Sequence, residues 1–295
     1  MKIADIVSTN RVKRYISLLC LFGAFIGNGF AQTINIYIEE LSLKEYNQHL
    51  LTMALRHANA QHIKINVINK QLSRAQAFSQ MDAGLIDVMW LNTNQEIEDR
   101  FIPVRVPILK GLMSYRTLMI REGQEAVFKD VETFEQLKAI RSGVGRFWTT
   151  TKVFNAEGIN TVLTTKSRNL YPMLEGGRFD YIPRGVMEIA PELEKYNHLP
   201  LKLETTILLR LPTAVYPFVT KAKPELATII EQGMLKSIDS GEFDQYFEST
   251  TLYKDTLKII SQHKWKVIPI NNPILPKETP LDEAKLWVDF SQYLQ

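Results

Sequence analysis

EGGRFDYIPRG, Glu175–Gly185, sets a short apolar run, Phe179–Ile182, between two glycine-bearing turns. A run of that length with those flanks forms a buried strand. It ends at Arg184, held between Pro183 and Gly185. A guanidinium is always charged and is shaped to grip a carboxylate or phosphate. Arg184 is therefore either a solvated loop residue or a clamp for an anionic group at a strand exit.

The flanking segments supply the context. Upstream, SRNLYPMLEGG reads as a helix and INTVLTT as a strand, while SGVGRFWTTTKVFNAEG runs from a turn into a helix stopped by Gly158. ETFEQLKAI is a short helix with Thr133 and Gln136 at capping-box spacing. Downstream, VMEIAPELEKY is helical, LPLKLETTILLR and PTAVYPFVTK are strands, and Pro224 opens a long helix. Nearer the N-terminus, TINIYI, IKINVI and IDVMWL are strands. The helices between them carry Leu43, Tyr46, Leu50, Met53 and Ala54 at helical spacing, then Ser73 as N-cap and Gly84 as stop. Strand–helix alternation implies parallel pairing in an α/β layer. Two such sets joined by strands, with no low-complexity linker, imply two lobes whose boundary runs through structured segments. From about Tyr253 a tail containing NNPILPKETP is expected to strap over the surface and to end in a short helix, LDEAKLWVDFSQYL.

Arg11, Lys13 and Arg14 precede the apolar run Tyr15–Gly27, and small residues stand at Gly29 and Ala31. This is the pattern of a secretory signal peptide cut near Ala31, and the run is short for a membrane span. Those leading cations, with Lys2 and against Asp5, account for the whole formal charge of +3. The mature chain is thus formally neutral, and no nucleic-acid or anionic-membrane partner is implied. The only cysteine, Cys20, lies inside the apolar run. An exported chain without disulfides must rely on its core, and it fits a bacterial periplasm.

The motifs of enzymes are missing. GVGRFW places two glycines as in a dinucleotide turn, but Trp148 stands where the third belongs. No phosphate loop, HExxH, nucleophile elbow or thiol is present, and His57 and His62 are placed as surface residues, so no cofactor and no metal are expected. What stands out is aromatic and polar residues at strand exits: Trp90 with Asn92 and Thr93, Trp148 before Thr149 and Thr150 at a helix start, and Arg184. Ligands of open α/β sheets collect at such ends, and helix starts favour anions.

IDVMWLNTNQEIEDR, IPVRVPILKGLMSYRTLMI, FEQLKAIRSGVGRFWTTTKVF and YPMLEGGRFDYIPRG follow one another in the order seen in extracytoplasmic solute-binding proteins. Over most of residues 33–250 the chain resembles the family-3 kind, which usually serves amino-acid ABC transporters. The resemblance implies a two-lobed, periplasmic-binding-protein-like (type II) α/β fold with two hinge strands, YRTLMI and PTAVYPFVT, and a central cleft. Lobe one would be 33–119 plus 212–250, lobe two 120–211, and 251–295 a tail packed on the lobes. It implies a monomer that captures a small polar molecule by lobe closure for an inner-membrane permease or a sensor. In that cleft Arg184 would pair with an acidic ligand group, Trp90 and Trp148 would form apolar walls, and Thr149 and Thr150 would hold an anion. Thr93 would contribute from lobe one, Glu39 would receive a cationic part, and Arg100 would correspond to the family's carboxylate-gripping arginine. The chain departs from the amino-acid binders at Gly185, where they carry an aspartate for the ligand's ammonium. Its loop after the first strand is short, and the spacing from Thr93 to Arg100 is stretched. Two other readings remain open: a dehydratase-type enzyme on this scaffold using Glu39 or Glu188, and a ligand-free interaction protein.

Overall fold

The computed structural model describes residues 32–294; the segment expected to be a signal peptide, and its expected cleavage position, lie outside the described residues. The first sheet has the order β2-β1-β3-β11-β4. It is built from β1 (Thr33–Tyr37), β2 (Lys64–Val67), β3 (Val88–Asn92), β4 (Ile102–Pro103) and β11 (Val215–Val219). β1, β2 and β3 are parallel, and β11 returns antiparallel to both β3 and β4. Three helices alternate with these strands: α1 (Lys44–His57), α2 (Arg74–Asp82) and α3 (Gln95–Arg100). Ser73 caps α2 in a full capping box with Gln76.

The second sheet runs β12-β10-β5-β8-β6-β7, with β9 also on β5. It comprises β5 (Tyr115–Arg121), β6 (Ser142–Gly145), β7 (Thr161–Thr164), β8 (Tyr181–Gly185), β9 (Leu201–Leu203), β10 (Ile207–Arg210) and β12 (Lys266–Pro269). Around it lie α4 (Phe134–Lys138), α5 (Thr149–Ala156), α6 (Leu170–Glu175) and α7 (Val186–Lys195). β6, β7 and β8 are parallel, and β5 is antiparallel to β8. The segment Ser142–Gly145, expected to be a turn, is a wholly buried strand. A side chain at Gly143 would run into the Phe179 ring, so glycine lets a strand and an aromatic ring share the same space.

The chain passes between the sheets just before β5 and just before β11. There Ser114 Oγ donates to the Thr213 carbonyl at 3.2 Å and accepts the Thr213 N–H at 2.9 Å. β5 itself belongs to the second sheet and β11 to the first, so the crossing lies in the residues that precede each strand. After α8 (Pro224–Asp239) and α9 (Glu242–Ser249), α10 (Thr251–Gln262) leads to β12, which pairs in register with β10. Residues 251–269 are thus a helix and a sheet strand, where a surface tail was expected. The terminal LDEAKLWVDFSQYL forms only two single 3-10 turns, Ala284–Leu286 and Ser291–Tyr293. Its backbone bonds are spent elsewhere: the Val288 N–H goes to the Lys110 carbonyl at 2.8 Å.

The cores follow from this path. The largest runs from β1, α1 and α8 past Leu112 and Tyr115 to Val186 of α7 and Leu208 of the second sheet, with Phe243, Phe247, Ile260, Trp265 and Phe290 between them. The back of the molecule is therefore one apolar body shared by both lobes. Inside it α1 and α8 touch at backbone distance, because a Cβ on Gly233 would collide with the Ala54 carbonyl. Gly233→Ala is expected to force these helices apart at a cost of roughly 1–3 kcal/mol, read as a fall in the urea midpoint. An unchanged midpoint would show that the two helices can separate freely.

Candidate functional site

In the first sheet β1 and β3 run parallel, so Glu39 and Thr93 leave it at the same end. In the second, β6 and β8 bring Gly145 and Gly185 to one end, beside the start of β5 where the chain crosses over. Strand ends from both lobes therefore meet across a gap, the place where open α/β sheets collect ligands. A cavity of about 450 Å³ lies on this side, between the start of α3, Lys152 of α5 and the C-terminal segment, and Trp148, Thr149, Thr150 and Arg184 are not part of its lining. Asn94–Glu96 at the start of α3 and Lys152 of α5 form its walls, and residues 273–278 of the C-terminal segment cover it. Lys152 Nζ bonds Glu96 Oε2 at 2.7 Å across the gap and holds that carboxyl below its ordinary range. Both partners are exposed, so the contact is a weak latch.

The covering segment is tied to both lobes. Asn271 donates to Glu157 at the end of α5, and Asn272 Nδ2 donates to the Pro212 carbonyl at the crossing, at 2.7 Å. Thr279 lies against the Tyr216 hydroxyl of β11, and Trp287 Nε1 donates back to the Pro280 carbonyl at 2.7 Å. Prolines 273, 276 and 280 stiffen this strap by fixing φ.

The residues singled out in the sequence fall into three groups. Trp148, Thr149, Thr150 and Arg184 come together. Trp148 precedes α5, its indole lies 4.7 Å from the Arg184 guanidinium, and a side chain at Gly145 would strike that indole. The Thr149 and Thr150 N–H groups open α5 and have no intrahelical acceptor. Arg184 is almost fully buried, and two of its three nitrogens are engaged: Nε goes to Glu192 Oε2 at 2.7 Å, and Nη2 pairs with both Glu192 and Glu188. Burial raises the Glu192 carboxyl against the pull of that guanidinium. The guanidinium therefore arrives with carboxylates from its own chain already in its grip.

Glu39 and Thr93 stand at the corresponding end of the first sheet with their polar atoms engaged. Arg74 holds the Glu39 carboxylate, and Thr93 Oγ1 donates to Glu98 Oε1 at 2.6 Å. Trp90 and Arg100 lie elsewhere. Trp90 is turned into the apolar layer with Leu50, Leu51, Ile230 and Met234, because alternate residues of β3 face α1 and α8. Arg100 ends α3 and pairs with Asp82 at the C-terminus of α2, over the Phe78 and Phe101 rings. Since α2 leads into the start of β3, that pair sits at the opposite end of the sheet from Thr93.

Sequence reasoning did not find the Glu96–Lys152 latch, because Glu96 and Lys152 are 56 residues apart and nothing local links them. The strap did carry a signal, the proline-rich NNPILPKETP, without any indication of where it would lie. Among the described residues no cluster of metal-ligating side chains occurs, and no helix is long and apolar enough to cross a membrane.

No family model and no curated protein matches the sequence. Solved structures do. The periplasmic VFT2 domain of BvgS from Bordetella pertussis aligns with a TM-score of 0.56 at 14% identity, over 73% of this chain and 92% of that one. The probable amino-acid ABC transporter extracellular-binding protein YtmK from Bacillus subtilis gives 0.56 at 14% identity, over 76% and 99%. The fold is that of the two-lobed periplasmic binding proteins. An amino-acid ABC transporter substrate-binding protein from Streptococcus pneumoniae, bound to L-arginine, gives 0.52 at 11% identity, over 76% and 93%. The last two are binding proteins by name, and at such identities these neighbours establish the architecture of this chain and not its ligand.

Proposed function

We propose that this chain is an exported solute-binding protein that holds a small polar molecule, anionic or zwitterionic, in the gap between its lobes. It would hand the ligand to an inner-membrane ABC-type permease or present it to a sensor. The observation that carries this reading is the cavity of about 450 Å³ between the start of α3 and Lys152 of α5, covered by residues 273–278. A site of that size suits a small metabolite. Trp148, Thr149 and Thr150, at the start of the helix that carries Lys152, would add an aromatic face and N–H donors beside it. Capture would rest on the difference in contacts between the latched and the open gap. Because one apolar core spans the back of both lobes, the movement would be confined to the gap side: the strap, and the Glu96–Lys152 latch.

Native mass spectrometry of the purified chain, followed by thermal shift against amino acids, dicarboxylates and polyamines, tests the proposal. A specific ligand at about 100 times its Kd should add about 2.7 kcal/mol of stability. A chain that carries no small molecule and answers to none of the panel would overturn the reading.

A further inference from the structure

Arg116 is the second residue of β5, two residues past the Ser114 crossing and directly across the ladder from Gly185. It is 4% exposed. Its Nε is fully enclosed with no hydrogen-bond acceptor among the described residues, and the side chain enters no ion pair there. The nearest charges compensate it only in part. Glu188 attracts it, but one oxygen of that carboxylate is held by Arg184 at 2.8 Å and the other by the Gly185 N–H at 2.7 Å. Arg184 repels it. Burial pushes the guanidinium pKa down to about 10, so it remains charged at neutral pH. An enclosed charge without a partner is costly, and a counter-charge from outside is what relieves it.

The position directs that counter-charge to the gap. Tyr115 faces the shared core at the back. Arg116, on the opposite face of the strand, shares its side with Leu118 and Leu209, beneath the Val153 and Phe154 cover of α5. It lies at the end of the sheet next to the crossing, opposite the end of β8. We propose that the Arg116 guanidinium is the anchor for a ligand oxyanion, a carboxylate or phosphate group, in the gap between the lobes. This rests on the solute-binding reading and assigns its ligand an acidic group. Arg184, paired through Nε and Nη2 with Glu188 and Glu192, then positions Trp148 and draws Glu188 toward itself, so that Arg116 keeps no hydrogen-bonded carboxylate of its own.

Succinate, inorganic phosphate and putrescine, each titrated by calorimetry into the ligand-stripped wild-type chain and into Arg116→Met, test the assignment. Wild type should bind succinate or phosphate, and whichever of the two binds names the oxyanion. Arg116→Met should bind it at least tenfold more weakly, while its melting temperature without ligand equals or exceeds that of wild type, since an incompletely compensated charge has been removed. Arg116→Lys, which keeps the charge and loses the planar fork, should fall between the two. It also decides the matter if the methionine variant fails to fold. An unchanged affinity in either variant would overturn the proposal. So would a wild type that binds putrescine and neither anion, and in that case the solute-binding reading stands. A wild type that binds nothing in the wider panel fails both.

Discussion

Replacing Arg184 with alanine is expected to destabilise the folded chain by about 3–5 kcal/mol, the usual result when one member of a buried ion pair is removed. The melting temperature should fall by on the order of 10 °C. The deficit comes from what is left behind. Glu192 and Glu188 both face the Arg184 guanidinium, and the Glu192 side chain is only 17% exposed. Without the arginine two carboxylates share a small volume with nothing to neutralise them, and the Trp148 indole loses the cation on its face. The pH dependence follows from the sign of the change. Burial already holds the Glu192 carboxyl above its reference value of 4.5, and loss of Arg184 raises it further. An acid with a raised folded-state pKa is favourable to folding when protonated, and that contribution disappears as pH climbs from 4.5 through the folded value. The alanine variant should therefore lie closer to wild type at pH 5 than at pH 8 in urea denaturation. A deficit that does not vary with pH would point to lost packing as its cause.

Arg184 also shows where sequence reasoning reaches its end. Its place at a strand exit was legible, because Phe179–Ile182 and the flanking glycines have one simple reading. Its neighbourhood with Trp148 followed from the fold class. That two carboxylates of its own chain already hold it was not legible, since it depends on which face of α7 turns toward β8. Glu188 and Glu192 lie four and eight residues on, at helical spacing from Arg184, and that spacing was the available hint. Arg116 was hidden for the opposite reason. It sits in YRTLMI, a strand with no motif around it, and only the absence of any partner in three dimensions distinguishes it. Trp90 and Arg100 illustrate a third limit. A residue next to a strand end can face either side of the sheet or lie at either end of the following helix, and the period-2 alternation of β3 assigns Trp90 to the core. The strand–helix alternation was legible almost throughout because burial of one face imposes it. The exceptions, Ser142–Gly145 and the C-terminal segment, are places where a single tertiary contact overrides local preference.

The second large effect should come from Phe290→Ala, at roughly 3–5 kcal/mol. Phe290 is completely buried, its ring is edge-on to Tyr115 at 5.1 Å, and Tyr253 of α10 lies 6.1 Å away on a nearly parallel plane. It therefore joins three parts of the chain that are far apart in sequence: the start of β5 at the crossing, the helix that passes behind both lobes, and the terminal segment. A cavity there removes apolar area from the one core that both sheets share, and the surrounding rings, held from three sides, have little freedom to collapse into it. The consequence for function separates this position from an ordinary core residue. If the back of the molecule sets how far the lobes can part, Phe290→Ala should accelerate amide hydrogen exchange at Leu211 and Thr213, whose N–H groups bond Ser114 across the two crossing segments, more than in the distant β2. Equal acceleration throughout would mean that the residue stabilises the fold without controlling the hinge. Exchange confined to residues 284–294 would mean that the terminal segment detaches by itself and the crossing remains closed.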